Sequence, residues 1–111
     1  MRRVLTVLAI AAALAAGGAL AQPGAPALDG NALFHEKCAM CHGPGGMGTG
    51  LLARRVQPAE LEKRTNLSAD YVFQYARRGF GNMPPITPGE ASDAELRAIA
   101  QHLATGQQSA K

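Results

Sequence analysis

Cys38-Ala39-Met40-Cys41-His42 is the stretch on which the reading of this chain turns. Two cysteines three positions apart, followed directly by a histidine, form the attachment signature of a c-type haem. On a helix, positions i and i+3 share one face, so both thiols reach the vinyl groups of one porphyrin. Cys38 and Cys41 would carry the thioether bonds, and His42 would turn an imidazole nitrogen to the iron. Other chemistries also use cysteine pairs. A structural zinc site wants four ligands, and no second Cys/His pair follows at suitable spacing. A thioredoxin-like dithiol wants a strand-helix-strand setting. Here the flanks are a helical pattern before and a glycine-rich loop after. A plain disulfide stays open as an alternative.

Upstream of the motif, Asp29 is a good N-cap, and a helix is predicted from Gly30 to about Cys38. Gly30, Phe34, Cys38 and Cys41 fall on one helical stripe, which turns Phe34 and both thiols to one interior. Gly43 to Gly50 is too rich in glycine for a regular element and is expected to be a loop. Such a loop can lie against the His42 face of a haem, where a side chain would clash. By position, the carbonyl of Thr49 or Gly50 is expected to accept from the second nitrogen of His42 and fix its tautomer.

Pro58 to Arg64 has the proline and acids early and the bases late of a short helix. A further helix is predicted over Ala69 to Arg78, capped by Ser68 and ended by Gly79. Its inward stripe would hold Val72, Ala76 and either Tyr71 or Tyr75. Pro84-Pro85 forbids helix after Phe80, which leaves Met83 at the centre of a loop. Ser92 and Glu95 form a capping box for a last helix. Leu96, Ile99, Ala100 and Leu103 make its apolar stripe, and Gly106 would terminate it. No strand alternation, internal repeat or second domain is visible, so the fold class is all-α.

His42 leaves a second axial position on the iron to fill. Met40, Met47, Met83, His35 and His102 are the candidates. Met40 lies inside the motif, and Met47 follows His42 too closely to reach around a porphyrin. His35 falls on the solvent side of the first helix, and His102 lies beside the last apolar stripe. Met83 has ample chain behind it to cross to the other face, and the following prolines stiffen its loop. His42 and Met83 are therefore the expected metal ligands. This pair raises the reduction potential and leaves no open site for a substrate.

The chain has 111 residues. Arg2 and Arg3, an apolar run from Val4 to Ala21 and the small-residue end Ala19-Leu20-Ala21 read as a signal peptide over residues 1–21. An uncleaved membrane anchor is the alternative. Residues 22–28 form a Pro/Gly-rich linker, residues 29–106 the folded domain and residues 107–111 a tail. Cleavage would remove two of the 11 basic residues and leave the rest nearly balanced by eight acidic ones. No basic patch with interleaved aromatics is present, which argues against nucleic-acid binding.

Together, the Cys38–His42 motif, the Gly-Asn-Met-Pro loop around Met83 and the capped last helix resemble the class I (small monohaem) c-type cytochromes. The resemblance runs from Gly30 to Leu103 and implies a small helical domain wrapped around one haem c per chain. In that family the first and last helices cross through a small residue and two aromatics. Gly30 and Phe34 match, while the aromatic of the last helix falls at His102, a departure. A second departure is Gly48-Thr49-Gly50-Leu51 where many members have a proline whose carbonyl serves the axial histidine. The resemblance also assigns possible propionate contacts to Arg54 or Arg55, with a tyrosine. The run from Arg77 to Pro84 looks like the cytochrome subunits of periplasmic dehydrogenases, such as that of p-cresol methylhydroxylase.

The implied role is a periplasmic electron carrier and not an enzyme. It would work between a dehydrogenase or other respiratory donor and a cytochrome or terminal oxidase acceptor, as a monomer or as a subunit of a dehydrogenase complex. Met40, the Gly43–Gly50 loop and Pro84-Pro85 would ring the exposed haem edge, a near-neutral surface suited to brief contacts with mild salt dependence. A peroxidase-like or gas-binding haem is the competing class, and it requires Met83 to be unbound. A membrane-tethered subunit is the third.

Overall fold

The computed structural model describes residues 27–105. The leader, most of the linker, Gly106 and the tail expected from the sequence lie outside the described residues. Five α-helices follow in order: α1 (Gly30–Lys37), α2 (Ala39–His42), α3 (Met47–Leu52), α4 (Ala69–Arg78) and α5 (Asp93–Thr105). A single 3₁₀ turn, Leu61–Lys63, lies between α3 and α4. No strand is present among the described residues, as the all-α reading expects.

The helix ends follow the capping residues. Asp29 Oδ1 accepts from the Ala32 N–H at 3.1 Å, and Ser68 Oγ accepts from the Tyr71 N–H at 3.1 Å. The capping box before α5 is reciprocal. The Ser92 N–H donates to Glu95 Oε2 at 2.8 Å, and the Glu95 N–H donates to Ser92 Oγ at 3.2 Å. Gly79 closes α4 with a φ of 72°, a left-handed value that glycine adopts without strain.

Helix α5 packs against both α1 and α4, and α2 packs against α1 and α3. The crossing of α1 and α5 is close. A Cβ placed on Gly30 would run into the carbonyl oxygen of Ala98 and lie 2.9 Å from His102 Cβ. Beside it, the Phe34 and His102 rings stand 6.0 Å apart, so the histidine takes the expected aromatic position. His102 Nε2 also sits 2.7 Å from Glu62 Oε1, and His35 Nε2 lies 3.3 Å from the same oxygen. One carboxylate of the 3₁₀ turn thereby serves both crossing helices.

Two apolar clusters flank α5. Phe34, Leu67, Ile99 and Leu103 form one, with Leu33, Cys38, Ala39, Leu61 and Val72 packed against it. Ala76, Ala91 and Leu96 form the other, with Phe73, Met83 and Ile86 against it. The α5 stripe read from the sequence is buried at all four of its positions.

Four expectations are corrected. Residues 47–50 of the expected Gly43–Gly50 loop are helical, as part of α3. Packing overrides propensity here. Gly48 presses on α2, where a Cβ would lie 2.9 Å from the Cys41 carbonyl oxygen and 3.2 Å from His42 Cε1. Thr49 Oγ1 donates to the Gly43 carbonyl at 2.8 Å and ties the helix back to the turn before it. Second, the helix expected over Pro58 to Arg64 shrinks to one 3₁₀ turn. Leu61 packs between the buried Ala59 and Leu67, and so short a segment has no further apolar face to bury. Third, α1 stops at Lys37, because Cys38 leaves helical geometry (φ −123°, ψ −31°) before α2 begins. Fourth, Tyr71 and Tyr75 are exposed and stack on each other at 4.2 Å. Phe73 takes the inward place, because it faces the Ala76–Leu96 cluster with Arg97 over its ring at 4.3 Å.

These contacts set four expectations. Gly30→Ala forces α1 and α5 apart and should cost about 1–3 kcal/mol, read as a lower thermal midpoint. Gly48→Ala should destabilise through its contact with the Cys41 carbonyl, whereas a Cβ at Gly50 meets nothing within 4 Å. Gly50→Ala should therefore stabilise by about 0.5–1 kcal/mol, the helix preference of alanine over glycine. Glu95 is held below the ordinary carboxylate range by the Ser92 N–H, and Glu90 likewise by the Thr87 N–H. Depressed carboxylates stabilise fully above their unfolded pKa, about 4.3, and lose that contribution as pH falls through the folded value. An acid titration of Glu95→Gln should show a shallower loss of stability below that point than the wild type.

Candidate metal centre

Helix α2 is built from the motif itself, with Cys38 as its N-terminal boundary and His42 in its last turn. The Cys41 and His42 N–H groups both donate to the Cys38 carbonyl, at 3.1 and 2.9 Å. That winding sets the two cysteines and the histidine on one short turn. Both thiols are free, so the disulfide alternative is not formed. Cys41 is exposed, and Cys38 is half-buried beside the Phe34 cluster. Burial pushes the Cys38 thiol pKa up, against a smaller opposing pull from Lys37 and with a small further rise from Cys41. The thiol thus stays protonated at neutral pH.

His42 is half-buried, and burial lowers its pKa, which favours the neutral imidazole that a metal needs. Its Nδ1 is a buried polar atom with no hydrogen-bond partner among the described residues. The expected carbonyl from Thr49 or Gly50 does not reach it. Inside α3 the Thr49 carbonyl points along the helix axis and accepts from the Ala53 N–H at 2.9 Å. Gly48 instead lies flat against the ring, its virtual Cβ 3.3 Å from Nδ1.

Met83 sits on a loop that the polypeptide fastens at several points. The Phe80 N–H donates to the Met83 carbonyl at 3.0 Å, and the Met83 N–H returns to the Phe80 carbonyl at 2.9 Å. Gly81 turns the chain between them with a φ of 56°. Gly79 lies so close that a Cβ would stand 2.7 Å from the Met83 carbonyl oxygen. The Ile86 N–H donates to the Ala76 carbonyl at 2.8 Å, which pins the strand leaving the loop to α4. The Met83 side chain is half-buried on Ala76, Ala91 and Leu96.

The competing ligands stand elsewhere. Met40 and Met47 are exposed, at 88% and 71%. His35 and His102 are both engaged by Glu62. Arg54 and Arg55 are exposed just beyond the end of α3 and make no side-chain hydrogen bond among the described residues. The structure thus groups Cys38, Cys41 and His42 on α2, holds Met83 on a separate loop, and joins the two through α5. Leu96 of α5 lies under Met83, while Ile99 and Leu103 lie in the cluster that holds Cys38.

Sequence reasoning missed the roles of Glu62, Phe73 and Arg77. Only Arg77 carried a signal, as one of two adjacent arginines before Gly79, and nothing separated it from its exposed neighbour Arg78.

The donor set fits a covalently held haem. Two free thiols stand beside a histidine that is neutral and orphaned at one nitrogen. Large apolar side chains also lie uncovered, namely Met40, Met47, Tyr71, Tyr75 and Phe80. Residues 25–103 match the family model described as "Cytochrome C oxidase, cbb3-type, subunit III". No curated protein and no solved structure matches the chain. With most of its length covered by that match, the chain belongs to this family, as a c-type cytochrome domain built for haem-based electron transfer.

Proposed function

We propose that this cytochrome is an exported, periplasmic single-electron carrier with one haem c, bound through Cys38 and Cys41 and ligated axially by His42 and Met83. The observation that carries the reading is the Met83 loop. Its turn, its glycine contact and its tie to α4 are complete in the polypeptide alone. A weak thioether ligand needs such a preset loop, because ordering a mobile one would cost more than the bond returns.

When bound, haem c supplies a one-electron ferric/ferrous couple. The chain's residues do the rest. Cys38 and Cys41 fix the position of the group, and the short α2 turn aligns His42 with it. With Nδ1 enclosed against Gly48, the ring is left to bind metal through Nε2. Met83 would supply a second ligand from its own loop and keep water and small ligands away, which favours electron transfer over peroxidase-like chemistry. Arg54 and Arg55, free at the surface near α3, suit the propionates. Met40, Met47 and the exposed Pro84-Pro85 offer an uncharged rim for brief contact with redox partners.

The donor in this reading is a dehydrogenase or another respiratory protein. The family description, a subunit of a cbb3-type oxidase, supports a terminal oxidase as the acceptor. Among the described residues no helix is long and apolar enough to cross a membrane.

The absorption spectrum of the holoprotein tests the reading. The oxidised wild type should be low-spin, with the weak red-edge band of sulfur-to-iron charge transfer. Met83→Ala should lose that band and gain rapid carbon monoxide binding when reduced. A wild type without the band removes Met83 from the iron.

A further inference from the structure

Arg77 lies in the last turn of α4, where arginines ordinarily extend into solvent and offset the helix dipole. Its neighbour Arg78 does so. Arg77 does not: its side chain is only 15% exposed. Its guanidinium is spent on the chain that follows Met83. Nη1 donates to the Ile86 carbonyl at 2.8 Å, and Nη2 donates to the Ala91 carbonyl at 2.8 Å. Nη2 also donates to Asp93 Oδ1 at 2.6 Å, at the start of α5. The Phe73 ring supports the cation from one side, 5.4 Å from the ring centroid.

The two carbonyls bracket the segment between the Met83 loop and α5. Ile86 is also the residue whose N–H bonds to Ala76, so both its N–H and its carbonyl are held by α4. Ala91 and Ile86 belong to the apolar cluster on which Met83 rests. A planar fork with several donors can hold two carbonyls and a carboxylate at once. A lysine, with one nitrogen, cannot reproduce that spread.

We propose that Arg77 is a positioning residue for the iron's sixth ligand: it clasps residues 86–91 to α4 and so keeps Met83 from swinging away. This rests on Met83 as the axial ligand. The thioether competes with any stronger ligand offered from solution, and the competitor's apparent affinity scales with the fraction of protein whose loop has let go. Arg77 lowers that fraction. It acts through the backbone it holds.

Imidazole titration of the ferric holoprotein reads this fraction directly. Wild type, Arg77→Gln, Arg77→Lys and Asp29→Ala are compared, with the red-edge band and the denaturation midpoint recorded for each. Asp29→Ala removes the α1 cap and lowers global stability far from the loop. Arg77→Gln is expected to bind imidazole about tenfold more tightly than wild type, and Arg77→Lys to fall between them. Asp29→Ala should stay within about twofold of wild type, as a distant independent site should. Arg77 variants that keep the band and the wild-type imidazole affinity would overturn the proposal while leaving Met83 as ligand. Equal gains in Asp29→Ala and Arg77→Gln would overturn it too, because loss of stability alone would then explain the effect. A wild type lacking the band would overturn the ligand assignment, and this proposal with it.

Discussion

The distance between α1 and α5 is the constraint on which this fold rests. Two helices can approach only as closely as the side chains between them permit. At Gly30 there is none, and the α1 backbone comes down almost onto the Ala98 carbonyl. That approach brings Phe34 between Ile99 and Leu103 and seats Cys38 and Ala39 beside them. The motif helix α2 inherits its position from this contact. At the other end of α5, Leu96 supports Met83. A single thirteen-residue helix therefore serves as the common reference for residues that lie far apart in the chain.

The motif helix and the Met83 loop are each organised by the polypeptide. On one side, α3 lies on α2 through Gly48, and Thr49 ties it to the Gly43 carbonyl. On the other, a two-bond turn, a glycine contact and the Ala76 carbonyl of α4 hold the loop of Met83. Electron transfer favours a site that moves little as its charge changes, because each displacement adds to the barrier. A pre-set surround meets that requirement through backbone geometry.

Much of this was legible in the residues. Caps at Asp29, Ser68 and Ser92 have local chemistry, and the helices begin where those side chains bond. The α5 stripe follows from periodicity, and the Gly30–Phe34–His102 crossing from the family resemblance. The motif cysteines, His42 and the isolated Met83 stood out because their chemistry is specific. What was illegible depended on tertiary contacts. Six glycine-rich residues become α3 because they are pressed against α2, which no local propensity reports. The inward place on α4 goes to Phe73 because the partner surface lies on the side of the helix away from the two tyrosines. The enclosed guanidinium of Arg77 depends on where residues 86 and 91 return, and the partner of His102 lies forty residues away. For the second nitrogen of His42 the structure leaves an orphan where a carbonyl was expected.

The crossing also has a consequence for the order in which the molecule can be assembled. It joins residue 30 to residue 98, so it is among the last contacts open to a chain growing from its N-terminus. Until α5 has emerged, Phe34 and Cys38 have no Ile99 or Leu103 to pack against. During that interval the thiol of Cys38 stands in solvent beside the already exposed Cys41. A chain that emerges N-terminus first thus presents Cys38 and Cys41 before the cluster behind Cys38 can close.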